Sequence, residues 1–366
     1  MGLFIKKPLA ELISEANETG NKSLKRVLGS LSLVALGVGV IIGAGLFSIT
    51  GAVAANYTGA AITLSFIIAA LGCCFAALCY AEFASMIPVA GSAYTYSYAT
   101  MGELIAWIIG WDLVLEYCVA ATTVSISWSR YLIVFLDGFG IELPQALTAC
   151  PWDGGIVNIP AFLIVVIMSL FLIRGTEGSS IFNGIIVFLK VAVVLTFVIL
   201  GWKYIRAENY TPYLPANTGT LGEFGFSGIL RGAAIVFFAF LGFDAVSTAA
   251  QETKNPKRDM PIGILMSLVV CTVLYILFAH VMTGVVHYSA FEGHNGIAPV
   301  AIAINHMGNA DANGIIQPDY PWMNRAIVLA ILFGYCSVIM VTLLGQSRVF
   351  LSMSKDGLLP PLFSHI

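Results

Sequence analysis

Three features of this 366-residue chain could do chemistry: glycines that interrupt apolar runs, a lysine where charge is expensive, and carboxylates at helical spacing. Residues Gly37–Phe47, GVGVIIGAGLF, and Phe237–Phe243, FFAFLGF, each lie near the middle of a stretch long enough to cross a bilayer. Glycine loses the most freedom in a helix and invites unwinding. In hydrocarbon, unwound backbone survives only where it is buried in protein or lines a cavity. Two such interruptions, one in each half of a bundle, point to a midplane substrate site. The half-helix opening after the first break offers N–H groups around Ala44, Gly45 and Leu46, beside Gly43, that suit a carboxylate. The carbonyls of Ile41 and Ile42, and of Phe237, Phe238 and Phe240, have lost helical partners and suit an ammonium group. Together they would clamp the part common to all α-amino acids. The alternative is that the glycines only let helices approach closely.

Glu116 and Asp112 are four residues apart and share a helix face. Glu116 lies about 21 Å along its helix from Gly102, at 1.5 Å per residue. A carboxylate that deep needs a cation or a proton. It receives a substrate's cationic side chain, or it is a structural ion pair or a protonated acid. Lys190, inside an apolar run, costs about 2.5–3.5 kcal/mol on insertion scales. Lying about six residues in from Gly184, it is partly able to snorkel. Among Phe237, Phe238, Phe240 and Phe243, Phe238 is the choice for an aromatic gate, against simple packing. Tyr335, Cys336 and Ser337 interrupt a mostly aliphatic run and face the substrate, the lysine, the lipid or their packing neighbours. Asp244 caps the inner half-helix after the second break. Glu82 is assigned to an inner gate with loop donors.

The elements that must position these groups follow from composition. The chain is 58% hydrophobic and 10% charged, with mean hydropathy +0.90, whereas soluble domains carry about 25% charged residues. This is a polytopic membrane protein. Runs of about 20 apolar residues place eight spans: Leu28–Thr50, Ala60–Glu82, Gly102–Ser129, Ile159–Ile173, Gly184–Trp202, Gly228–Ala250, Pro261–Val286 and Arg325–Leu344. Lys6, Lys7, Lys22, Lys25, Arg26, Arg174, Lys254, Lys257, Arg258, Arg348 and Lys355 fall on one side. Only Arg130, Lys203, Arg206, Arg231 and Arg325 fall on the other, which sets both termini inside. Residues 1–27 read as a cytoplasmic arm, with no cleavable signal. The outer loop Val286–Met323 holds either a returning helix within Ala298–Met307 or a surface segment. The cysteines lack metal spacing, the five histidines form no HExxH motif, and no carbonyl filter repeats. An enzyme or a channel is disfavoured.

The motifs at Ile42–Phe47 (IGAGLF), Pro88–Tyr96 (PVAGSAYTY), Gly242–Asp244 with Glu252–Pro256 (GFD, ETKNP) and Ser354–Pro360 (SKDGLLP), in that order, resemble the amino acid–polyamine–organocation superfamily. Within it the likeness is to bacterial homologues of the cationic amino acid transporters. The resemblance implies an all-α, leucine-transporter-type bundle of two inverted five-helix repeats, with helices one and six broken. Residues 28–202 would be the first repeat, 203–227 an outer loop, and 228–366 the first three helices of the second. Because members usually have twelve or more spans, the chain is expected to be incomplete at its C-terminus. In proton-coupled members a lysine on helix five replaces the sodium ion bridging helices one, five and eight. Lys190, alternately charged and neutral, would so lock or release helix one. Leu115–Tyr117 (LEY) matches the cationic branch and implies that Glu116 meets the substrate's cation.

The implied function is secondary active, proton-coupled uptake of arginine, lysine or ornithine by alternating access, with small neutral amino acids also admitted. The alternatives are a sodium-coupled or exchange-type amino acid or polyamine transporter and, remotely, a channel. The substrate set is then Ile41, Ile42, Gly43, Ala44, Gly45, Glu116, Phe237, Phe238, Phe240 and Tyr335, with Phe238 and Glu82 gating. No cofactor beyond the coupling proton is expected. The partners are an amino acid and the lipid bilayer of the cell (inner) membrane, with no nucleic acid. A small accompanying membrane subunit is left open.

Overall fold

A computed structural model of the chain describes residues 4–16, 26–173, 176–292, 298–310 and 316–364. Lys22, Lys25, Arg174, His294 and His365 lie outside the described residues. A short helix α1 (Leu9–Ala16) precedes the bundle. The first span divides into α2 (Ser30–Ile41) and, beyond a break, a second half of wide π-type turns around α3 (Thr50–Val53). The second span is α4 (Ile62–Met86). A short α5 (Ala93–Thr100) leads to the third, α6 (Glu103–Asp137). Next come α7 (Ile159–Ile173) and α8 (Thr176–Gly201). The sixth span is α9 (Gly225–Val236) continued, after a break, by the 3₁₀ segment Asp244–Glu252. The seventh is α10 (Pro256–Val285). The small helix α11 (Pro299–Asn305) and the antiparallel pair β1 (Gly308–Ala310) and β2 (Ile316–Pro318) precede the eighth, α12 (Pro321–Lys355).

Six stretches of the described residues are long and apolar enough to cross a membrane, the first of which, Ser30–Met86, contains both initial spans. With the shorter apolar Ile159–Ile173 they account for the eight expected segments. Boundaries shift where a helix outlasts its apolar run. On α12, Val349 and Met353 are buried, so the i, i+4 apolar stripe carries the helix past the expected end at Leu344. α8 begins at Thr176, ahead of Gly184, because polar residues extend a helix without extending its hydropathy. Lys190 is therefore midway along α8, and its side chain is only 1% exposed. Snorkelling does not occur.

Packing follows a five-helix interval. α4 lies along α10, α6 along α12, and the broken first span against the broken sixth. Second meets seventh, third meets eighth and first meets sixth, the spacing that two five-helix units produce. At the Lys/Arg-rich end a parallel bridge joins the start of the first span to the end of the sixth. Leu28 N–H donates to the Glu252 carbonyl and Lys254 N–H to that of Leu28, both at 2.9 Å. Arg348 on α12 pairs with Glu252 and donates to Thr248 Oγ1 at 3.1 Å. Lys7 pairs with Asp356 at 2.5 Å, and Tyr94 donates to the same carboxylate at 2.6 Å. At the opposite end a helix does form within Ala298–Met307, with Val300, Ala303 and Ile304 buried.

Candidate functional site

The first break can be read residue by residue. Gly37 and Gly39 lie in intact helix and serve close packing. A Cβ on Gly37 would lie 2.5 Å from Ser267 Oγ, and one on Gly39 would lie 2.7 Å from Val187 Cγ2. α2 then stops, with Ile42 extended at φ −74°, ψ 103°. Helix resumes where the Leu46 and Phe47 N–H groups both bond to the Gly43 carbonyl at 3.1 Å. The Leu46 N–H, expected to be open, is thus spent inside the helix. Those of Ala44 and Gly45 precede the first closed turn, where a helix has no acceptor of its own.

In the second break, Phe237–Phe240 tighten into a 3₁₀ turn, and Leu241 leaves it in an extended conformation. Gly242 has φ +102°, a region that side-chain-bearing residues avoid. The two breaks abut. A Cβ on Gly45 would overlap the Cα and Cβ of Ala239. Tyr275 of α10, fully buried, joins them, its one hydroxyl hydrogen shared between the carbonyls of Ile41 (2.6 Å) and Ala239 (2.8 Å).

Between the breaks, α6 and α12 lies a small cavity of about 20 Å³, room for about one water molecule. Val40, Ile41, Gly43, Ala44 and Gly45 line it from the first break, and Phe238, Leu241 and Gly242 from the second. Glu116, Tyr117, Ala120 and Val124 come from α6, and Val338 and Thr342 from α12. The walls are mostly apolar, with Glu116 as the carboxylate among them. Among the described residues, Glu116 has no basic partner within 4.0 Å. Asp112 is exposed and does not join it. Tyr117 donates to Asp244 Oδ2 at 2.8 Å. Asp244 is therefore held by α6 across the bundle, beyond the local capping expected of it.

Four of the expected substrate residues do not line this cavity. The Ile42 carbonyl turns toward Lys190. The Phe237 side chain is 42% exposed, because the tight turn after Val236 aims it out of the bundle. Phe240 points into the core, 5.3 Å from Tyr275 and 6.3 Å from Phe66 between ring centroids. Tyr335 belongs to a neighbouring aromatic layer, with its hydroxyl 3.0 Å from Ser48 Oγ and its ring against Phe47 and Tyr131. Glu82 is exposed, and the described ion pairs of the Lys/Arg-rich end are instead those of Arg348 with Glu252 and Lys7 with Asp356. A period-based reading puts a carboxylate near an end but does not orient it.

The Lys190 ammonium donates to the carbonyls of Gly39 (2.6 Å) and Ile42 (2.9 Å) and to Ser337 Oγ (3.3 Å). One cation thus holds the first, fifth and eighth spans together at the break. Charge-assisted bonds of this kind offset the cost of burying it. Gly334 makes room for the lysine stem, since a Cβ there would lie 3.1 Å from its Cε. Ser337 in turn donates to Asn183 Oδ1 at 2.8 Å. Sequence reasoning missed Asn183 and Tyr275. A lone tyrosine in an apolar helix does carry a signal, because its buried hydroxyl must find a partner.

Comparison with known proteins adds the following. A family model described as amino acid permease matches residues 28–366. The branched-chain amino acid permease BcaP of Bacillus subtilis (strain 168) is 45% identical over all of this chain and 74% of the relative. The methylthioribose transporter of the same organism is 43% identical, with the same coverage. The vacuolar cationic amino acid transporter 4 of Arabidopsis thaliana is 34% identical over all of this chain and 58% of the relative. A solved Na⁺-coupled sialic acid symporter in a substrate-bound, outward-open state is similar in fold, with a TM-score of 0.55. It is 15% identical over 96% of this chain and 72% of that one.

Proposed function

Because the chain belongs to the amino acid permease family, we propose that it is a secondary active transporter that takes up amino acids with protons by alternating access. The observation that carries the coupling is the Lys190 ammonium seated on the Gly39 and Ile42 carbonyls and Ser337. A fixed, removable positive charge at the break does the work of a bound cation. When protonated it pins the first span to the fifth and eighth. When neutral it frees two carbonyls and the span. The protein sits in the cell membrane with its N-terminus in the cytoplasm, as the Lys/Arg distribution suggests.

The substrate's carboxylate meets the N–H groups of Ala44 and Gly45, and its ammonium meets carbonyls at the second break. Its side chain extends toward Glu116. An unpartnered carboxylate in a mostly apolar cavity supports a cationic side chain, as in arginine, lysine or ornithine. A second reading, an aliphatic side chain against Val124, Leu241 and Val338, is favoured by the apolar walls and by the branched-chain relative. Glu116→Gln separates the two. Losing a hydrogen bond to charge, about 1.5–3 kcal/mol, should weaken arginine and lysine binding by about 10- to 150-fold. Alanine and leucine should change by less than about threefold. Equal losses for all four, or no arginine binding to the unaltered protein, would reject the cationic reading. Uptake that needs sodium and ignores a pH gradient would reject proton coupling.

A further inference from the structure

The polar group behind the lysine has a consequence for coupling. Asn183 is 5% exposed and lies seven residues before Lys190 on α8, about two turns away on the same face. Its amide lies over Gly39, where a Cβ would be 3.1 Å from Oδ1 and 3.2 Å from Nδ2. The lack of a side chain on Gly39 is what admits it. Ser337 Oγ is 2.8 Å from Asn183 Oδ1 but 3.3 Å from both the Gly39 carbonyl and Lys190 Nζ.

A hydroxyl has one hydrogen to give and two lone pairs to offer. With Asn183 as the nearest acceptor, the Ser337 hydrogen points away from the ammonium and a lone pair faces it. Without that acceptor, the hydrogen turns to the Gly39 carbonyl, the atom the ammonium itself holds most closely at 2.6 Å. The hydroxyl would then compete with the charge it now accepts from. We propose that Asn183 is a positioning residue for proton coupling, acting through Ser337 to keep an acceptor turned toward Lys190. This rests on the reading of Lys190 as the proton carrier. Among the described residues, the groups facing the ammonium are the carbonyls of Gly39 and Ile42 from the first span, the Cys271 thiol from α10, and the Ser337 hydroxyl and Cys336 thiol from α12. Among these, Ser337 is the group whose donor or acceptor role a neighbour can reverse.

The test is uptake of labelled alanine into liposomes holding the intact protein, measured against external pH under a fixed inward proton gradient. Removing an acceptor from a charged group weakens proton binding about tenfold, so Asn183→Leu should move the midpoint about one pH unit toward acid. Asn183→Asp strengthens the acceptor and should move it toward alkali. In a Ser337→Ala background, Asn183→Leu should add no further shift. An unmoved midpoint in Asn183→Leu, or a full shift that persists without the serine hydroxyl, overturns the assignment. If the leucine variant does not fold, judged by substrate-induced melting, Asn183→Asp decides, and an unmoved midpoint there also overturns it. Wild-type uptake indifferent to pH would instead retire Lys190 as the carrier. A pH-dependent wild type with unmoved variants retires Asn183 alone.

Discussion

Replacing Lys190 by methionine preserves most of the stem and removes the ammonium. The carbonyls of Gly39 and Ile42, now 2.6 and 2.9 Å from Nζ, lose their donor. Ser337 Oγ, 3.3 Å from the Gly39 carbonyl, can turn to that acceptor only by releasing Asn183 Oδ1, so two buried acceptors, the Ile42 carbonyl among them, are left bare. Each costs about 1–3 kcal/mol, together several degrees of melting temperature in a chain of this size. The removed charge no longer needs solvation, which offsets part of that cost. Lys190→Met should therefore fold, insert and bind. What it loses is the gradient. With one proton per substrate, a difference of about two pH units sustains roughly 100-fold accumulation. The variant should only equilibrate its substrate, at the same rate from acid to alkaline medium, while still exchanging labelled for unlabelled amino acid across the membrane. Proteoliposome accumulation and counterflow on one preparation measure both. Concentration of substrate at anything near the wild-type ratio would show that the lysine is structural.

Two further substitutions probe the breaks. Gly45→Ala sets a methyl group against the Ala239 backbone, which cannot yield. Overpacking of about 1–3 kcal/mol should part the two breaks and cut uptake by about tenfold or more, while Gly72→Ala, with nothing within 4 Å, should transport normally. Equal uptake by the two variants would mean that close approach of the breaks is dispensable. Tyr275→Phe deletes the hydroxyl shared by the Ile41 and Ala239 carbonyls. A loss of about 1–3 kcal/mol should lower affinity about 5- to 150-fold when read by titration calorimetry, and unchanged affinity and melting would take the tyrosine out of the site.

Much of this arrangement was legible because bilayers simplify the problem. Length and hydropathy suffice to find α4, α7 and α10, since hydrocarbon tolerates little else. Gly43, Gly45 and Gly242 mark the interruptions because glycine in such a run needs a reason. Lys190 stands out on cost alone. Orientation was harder. Phe237, Phe238 and Phe240 look alike in sequence, and only the 3₁₀ turn decides that Phe238 lines the cavity, Phe237 leaves the bundle and Phe240 enters the core. Tyr335 and Glu82 lie away from the cavity for the same reason, since position along a helix is visible in sequence and rotation about it is not. Asn183 was hidden by hydropathy, which sees a polar residue before the run rather than a partner inside it. The bridge between Leu28 and Thr253 has no side-chain signature, because it is made of backbone alone.

That backbone seam constrains how the molecule moves. The halves of the first and sixth spans on the Lys/Arg-rich side end at the two breaks and are sewn to each other at their far ends, through atoms no side-chain change removes. While those bonds hold, neither swings outward by itself. A path opening toward the Lys/Arg-rich side that keeps them would carry both as a two-legged lever pivoting at Ile42 and Gly242, with Arg348 of α12 as the catch to slip.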